Sequence, residues 1–202
     1  MAGQAVFGEA VLKQAKAIAA GAPSETAGRA DIIETLVTQH SLLVFRIAYS
    51  ILRNHHDAED AAQECFLRVW KAQKRLTQVR NLKTWLARIA WTAALDRRRR
   101  TVTAHAGRLP GEELLPRIPD RAARQDEQFA GKQMQELVER LVAGLPEELR
   151  QTLELSTVEE LNSSEIAEVM NVPEASVRTR LLRARRLLKE KLSAMLEVRK
   201  HD

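Results

Sequence analysis

Residues 163–188 read SSEIAEVMNVPEASVRTRLLRARRLL. Two apolar-periodic runs meet at Asn171-Val-Pro173, where a turn former precedes a proline that cannot extend the first helix. Just upstream, Asn162-Ser-Ser-Glu165 has the spacing of a capping box, with Asn in place of Ser or Thr. The pattern predicts a short helix through Met170, a turn, and a long helix from Glu174 to about Leu196. With Asn171 at the turn, small Ala167 lies four residues before it, where two helices approach closely, and Val177 lies six after it on the inner face. Ile166, Met170, Val172 and Leu181 complete the expected interior. The second helix then carries Ser176, Arg178, Thr179, Arg180 and Arg183 outward. A helix fits the major groove, where Arg bonds a guanine edge with two donors and Ser or Thr reaches base or phosphate. A plain helical hairpin is the bland alternative, but it leaves several like charges on one face with only Glu174 and Glu190 to offset them.

Upstream of this motif the chain is helical by the same criteria. Pro146 opens a helix whose first turn holds Glu147 and Glu148, where the helix dipole favours acids. Before it, Phe129, Met134, Leu137, Val138, Leu141 and Val142 keep helical spacing up to Gly144, a residue suited to end the run. Residues 101–131 hold Pro110, Pro116 and Pro119 without clean periodicity and read as an interdomain linker. Residues 31–100 form a second periodic block. Ile32, Ile33, Leu36, Val37, Leu43, Val44, Ile47, Ala48 and Ile51 mark one amphipathic helix ending near Arg53. After a break at Asn54, His55 and His56, Asp57 is the expected N-cap of a helix that turns Ala58, Ala61, Ala62, Cys65, Phe66 and Val69 inward. A third helix begins after Asn81 with the stripe Leu82, Trp85, Leu86, Ile89, Ala90 and Ala93. The expected fold is all-α: a three-helix N-terminal bundle over 31–100 and a helix-turn-helix domain over 132–197, joined by a flexible linker. Residues 1–30, rich in Ala and Gly, read as a loose N-terminal extension.

Composition agrees. The 202 residues are 45% hydrophobic and only 4% aromatic, and helix formers abound. A single cysteine excludes a disulfide framework and a cysteine-based zinc site, and fits a reducing cytosol. No uninterrupted apolar run reaches the roughly 18–20 residues of a membrane span. The apolar N-terminal residues precede their positive charges, the reverse of a signal peptide, so a cytoplasmic protein without membrane insertion is expected.

The net charge of +5 conceals a partition. Residues 71–100 carry ten Lys or Arg against Asp96 alone, and residues 172–192 carry seven against two Glu. Residues 54–64 carry Asp57, Glu59, Asp60 and Glu64 with no Lys or Arg. Two basic surfaces, one per half, are the footprint of a protein that grips a polyanion at two places. In the first half the basic loop and helix start supply Lys74, Arg75, Arg80, Asn81 and Lys83, followed by Arg88 and the run Arg97, Arg98, Arg99 and Arg100. Such a loop suits a single strand whose bases are unstacked, while the arginine run suits phosphates. Trp85 lies on the apolar stripe and reads as core; Trp91 lies off it and is open to either role. Asp60, Gln63, Glu64 and Leu67 recur at i, i+3, i+4 and i+7 opposite the buried stripe. They form an exposed acidic face with an apolar edge, which repels DNA and suits a protein partner.

The quoted segments resemble a known family. DAEDAAQECFLRVWK (57–71) followed by LKTWLARIAWTAALDRRRR (82–100) resembles the second conserved region of bacterial sigma factors, and LPEELRQTLEL (145–155) with residues 163–188 resembles the fourth. With only these two regions and a linker, the chain resembles an extracytoplasmic-function (ECF) sigma factor. The resemblance implies that Asp60, Gln63 and Glu64 dock on the clamp helices of core RNA polymerase. It implies that the Arg75–Asn81 loop captures a flipped base of the promoter −10 element, with Arg88 and Arg97–Arg100 on the DNA-facing helix. It places Ser176, Arg178, Thr179, Arg180 and Arg183 on the helix that reads the −35 element. It further implies an anti-sigma factor as regulator, and neither a cofactor nor catalysis. Thr92, Leu82 and Asn171 depart from the family's usual Asn, aromatic and Gly at those positions.

Two other readings fit parts of the chain. A helix-turn-helix regulator acting on duplex DNA without polymerase explains the C-terminal half and leaves the acidic helix without a role. A carboxylate-metal nucleic-acid enzyme would use Asp57, Glu59 and Asp60, with His56 nearby, but no second ligand cluster lies at suitable spacing.

Overall fold

A computed structural model describes residues 27–104 and 137–198. Most of the expected N-terminal arm and linker, and the start of the helix expected from Phe129, lie outside the described residues. Among those residues every regular element is helical. Helix α1 spans Ala27–Leu52, α2 His55–Lys71 and α3 Leu82–Ala104, with a 3-10 helix over Gln73–Gln78 between the last two. Helix α4 spans Glu147–Thr157, α5 Ser163–Met170 and α6 Glu174–Val198, and residues 137–143 are also helical. The elements fall into two compact units, α1–α3 in one and α4, most of α5 and α6 in the other.

In the first unit the three helices pack on one another pairwise. α1 contributes Leu36, Val37, Leu43, Val44, Ile47, Ala48 and Ile51, all buried. Burying each of the Leu, Val and Ile side chains stabilises the fold by about 1.5–3 kcal/mol. The stretch Glu34–Leu52 is long and apolar enough to span a membrane, but half of it is buried within the bundle, so its apolarity serves this core. All six residues expected to point inward from α2 are buried. The helix starts three residues earlier than expected, because Asn54 rather than Asp57 caps it: the Asn54 side chain accepts a 2.9 Å bond from the Asp57 N–H. Asp57 is left as an acid in the first turn, where the dipole favours it.

Helix α3 differs from its expected stripe. Thr84, Leu86, Ala87, Ala90, Trp91, Ala93 and Ala94 are buried, whereas Trp85 and Ile89 are half-buried. A helix packed against two neighbours buries an arc wider than one stripe. Here that arc is centred on alanines, so Trp91 lies in the core and Trp85 at its flank. α3 also continues through Ala104, past the expected start of the linker.

In the second unit α4 packs on α6. Leu153, Leu155, Leu161, Ile166, Val177, Leu181 and Ala184 are buried, while Met170 and Val172, expected inside, are only half-buried. The capping box forms as expected: the Asn162 side chain accepts from the Ser164 and Glu165 N–H groups, and Glu165 accepts from the Asn162 N–H at 2.8 Å. Asn171 takes the left-handed conformation (φ 54°) that closes α5, and the Val172 N–H reaches back to the Ala167 carbonyl at 3.1 Å. Asn tolerates this backbone better than most residues, so it substitutes for glycine there. Gly144 ends the helix over 137–143 without a left-handed backbone. Lys191 instead donates to the Gly144 carbonyl at 2.6 Å, and a Cβ on Gly144 would come 2.7 Å from that ammonium.

Cys65 is fully buried, its sulfur 4.0 Å from the Leu86 carbonyl, and burial pushes its thiol pKa well up. The folded protein is therefore expected to resist Ellman's reagent at pH 8 and to release a single equivalent of thionitrobenzoate once unfolded in urea. Rapid reaction of the native chain would contradict this burial. Cys65→Ser should be mildly destabilising, because it places a hydroxyl where a small apolar group sat.

Candidate nucleic-acid and docking interfaces

The acidic face of α2 and the basic start and end of α3 belong to the same unit. Asp60, Gln63, Glu64 and Leu67 share one side of α2, as expected, but each is half-buried rather than fully exposed. Charged partners on the C-terminal half of α3, and Arg68 on α2 itself, lie along this face. Arg97 donates through Nε to Asp57 at 2.8 Å, and its Nη2 lies 2.7 Å from both Asp57 and Asp60. Arg68, on α2 itself, bonds Glu64 at 3.0 Å and Asp96 of α3 at 3.1 Å. On the outer side of α2, His55 faces Glu59 at 3.5 Å and His56 faces Asp60 at 3.9 Å. Among the described residues no group of three or more His, Cys, Asp or Glu is arranged to hold a metal ion. The carboxylates a metal would need at Asp57 and Asp60 are engaged by Arg97.

The basic loop leaves α2 through the 3-10 helix, which carries exposed Lys74 and Arg75. Arg80 and Asn81 are exposed, and Lys83 is half-buried. Asn81 has a local role: its side-chain oxygen accepts from the Thr84 N–H at 3.1 Å, capping α3. Further along, Arg88, Arg99 and Arg100 are exposed, and Arg98 is half-buried. Arg99 makes only a long 3.8 Å contact with Asp96. The run expected to read phosphates is thus heterogeneous, its first member turned toward α2.

On α6, buried Val177, Leu181 and Ala184 define the inner side, and Arg178, Thr179 and Arg183 are exposed on the other. Ser176 is half-buried. Arg178 pairs with Glu174 one turn earlier at 2.7 Å, an exposed contact of little energetic weight. Arg180 is different. It retains only 20% exposure and holds Glu148 of α4 at 2.8 Å. Of the two leucines in Arg180-Leu-Leu-Arg183, Leu181 faces in, as expected, and Leu182 lies exposed among the arginines of the outer face.

Residues 36–103 match the family model of Sigma-70 region 2, and residues 135–188 match that of Sigma-70, region 4. The RNA polymerase sigma-H factor of Pseudomonas aeruginosa is 32% identical over 179 residues, covering 83% of this chain and 89% of that protein. The ECF RNA polymerase sigma factor SigW of Bacillus subtilis is 27% identical over 170 residues, covering 82% of this chain and 91% of that protein. The chain belongs to the ECF sigma factors. Its fold is similar to that of the sigma factor RpoE of Bartonella quintana, solved in complex with the anti-sigma factor NepR, at 24% identity and a TM-score of 0.55 over 77% of this chain and 96% of that one.

Within this sigma factor Asn81 caps α3, and that structural role can be measured by itself. Asn81→Ala should destabilise the N-terminal bundle by about 1 kcal/mol in urea unfolding, while Asn81→Asp, which still caps, should remain near the parent value. Equal losses for both substitutions would show that the cap is energetically idle.

Proposed function

We propose that the chain directs transcription initiation by binding core RNA polymerase through α2 and two promoter elements through its two basic surfaces. The observation that carries this reading is the charge partition on family-matched elements. α2 presents Asp60, Gln63, Glu64 and Leu67 on one side, whereas the loop after it and the outer face of α6 present arginines and lysines. A DNA-binding regulator without polymerase has no use for an acidic face beside a basic loop. The N-terminal domain, residues 31–100, is assigned to core docking and the −10 element; the C-terminal domain, residues 132–197, to the −35 element.

In the first domain, Lys74, Arg75, Arg80 and Lys83 offset the repulsion between phosphates where the strand is held open. Unstacking a base costs a few kcal/mol, which cationic neighbours and a shaped loop must offset. In the second domain, Arg178, Thr179 and Arg183 enter the major groove, where a bidentate Arg–guanine contact discriminates by about 1–3 kcal/mol. The chain therefore acts by differential binding, in the cytoplasm, and no step requires a catalytic side chain. The anti-sigma factor bound to the related RpoE supports a similar regulator here, one that covers these same surfaces.

The deciding experiment is transcription in vitro from a random promoter library with purified core polymerase, with and without the protein. Enrichment of two spaced motifs only in its presence is expected; no selected sequence at all would refute the reading. Gln63→Ala with Glu64→Ala should weaken core binding while leaving the circular dichroism of the chain unchanged, and unaltered affinity would remove α2 as the docking element. Arg178→Ala should cost on the order of 1–3 kcal/mol on the selected promoter and relax specificity at one position. A uniform loss across all sequences would instead make Arg178 a phosphate contact.

A further inference from the structure

The run Arg97–Arg100 divides at its first member. Arg99 keeps 77% of its side-chain surface exposed, but Arg97 keeps 33% and directs its guanidinium onto α2. Asp57 and Asp60 stand three residues apart on one face of α2, so their like charges repel. Arg97 sits between them, with Nε and Nη2 on one oxygen of Asp57 and Nη2 on one oxygen of Asp60, all at 2.7–2.8 Å. The guanidinium offsets that repulsion and fixes both carboxylates. Asp60 Oδ1, the oxygen that Arg97 does not hold, lies 3.9 Å from the exposed His56 ring, and the Asp60 side chain keeps 33% of its surface exposed.

We infer that Arg97 is a positioning residue for the polymerase-docking face of α2 and not a contact to promoter phosphates, an inference that rests on the docking role of α2. A guanidinium already neutralised by two carboxylates gains less from a phosphate than an unmatched cation does. Side chains ordered before association lose less freedom on binding, so a preset Asp57–Asp60 pair raises affinity for the docking partner without touching it. The geometry needs the planar fork of arginine; a lysine ammonium keeps the charge but cannot bridge the pair with the same set of directed bonds.

The test uses the full chain and purified core polymerase, with two readouts: core affinity by fluorescence anisotropy, and the salt dependence of holoenzyme binding to promoter DNA. Arg97→Ala is expected to weaken core binding roughly twofold to tenfold and Arg97→Lys by an intermediate factor, as for the ordering of a side chain that binding must then supply. The salt slope on promoter DNA is expected to stay at the parent value in both. In an Asp57→Ala/Asp60→Ala background, removing Arg97 is expected to have no further effect on core affinity. A salt slope reduced by about one in Arg97→Ala would return this residue to the DNA surface and overturn the inference, and so would an undiminished effect in the double-aspartate background. Gln63→Ala/Glu64→Ala, measured in parallel, separates the two levels. Weakened core binding there with parent affinity for Arg97→Ala overturns the positioning role alone, whereas parent affinity in both removes the docking role and the inference with it. If Arg97→Ala loses its helical circular dichroism, Arg97→Lys carries the comparison under the same criteria.

Discussion

The close approach of α2 and α3 governs the N-terminal domain. Small residues recur among the buried positions of both helices, Ala58, Ala61 and Ala62 on one and Ala87, Ala90, Ala93 and Ala94 on the other, and small residues allow helices to approach closely. Cys65 of α2 reaching the Leu86 carbonyl of α3 at 4.0 Å shows how near they come. That proximity lets Arg97 span to Asp57 and Asp60, and lets Arg68 reach Asp96. This charge ladder is therefore a consequence of packing, and its contribution to stability is small. Pairs about one-third exposed contribute on the order of 0–1 kcal/mol each. What it supplies is order, in a region where an acidic face and a basic one belong to adjoining helices.

The same economy recurs in the C-terminal domain. α6 must present arginines outward and still pack on α4, and Arg180 joins the two tasks by holding Glu148. Its neighbours Arg178 and Arg183 extend from the exposed side, where Arg178 meets only Glu174 on its own helix. A long helix rooted at one end by buried Val177 and Leu181, and tied farther along by Lys191 to the Gly144 carbonyl, resists tilting when its outer face is loaded. Rigid support of this kind is what a base-reading helix requires, since misplacement by a fraction of an ångström weakens a bidentate contact.

Where apolar periodicity is strong, the sequence is a faithful guide. All six inward positions of α2 and the α1 stripe from Leu36 to Ile51 are legible directly, and the capping box at Asn162 declares the start of α5. α3 was harder because its buried arc is mostly alanine, a residue that weighs little in a hydrophobic pattern. Large residues at Trp85 and Ile89 drew the stripe to the wrong flank and left Trp91 unassigned. The N-cap of α2 was misplaced for a related reason: Asn54 and Asp57 are both good caps, and only backbone geometry selects between them. In the candidate site, charge sign and helical face were legible, since both depend on local spacing. The pairing of Arg97 with Asp57 was not, because it joins residues 40 apart through a contact that requires knowing how α3 lies on α2.

That pairing changes how the basic character of the chain should be weighed. Salt dependence of binding to a polyanion counts the phosphates newly neutralised, with a slope of about −0.9 per contact on duplex DNA. A cation already matched by an internal carboxylate brings no new neutralisation unless it first gives up its partner. Arg97 and Arg180 are held in this way at 2.7–2.8 Å and are substantially covered. Arg178 and Arg186 have partners too, but on exposed sides where exchange with a phosphate costs little. The electrostatic grip of each domain is consequently smaller than its count of Lys and Arg implies. Lys74, Arg75, Arg99, Arg100 and Arg183 are exposed and would carry most of that grip on the proposed reading. A modest non-specific affinity leaves more of the promoter discrimination to base contacts, as a protein that must find two short elements among many competing sites requires.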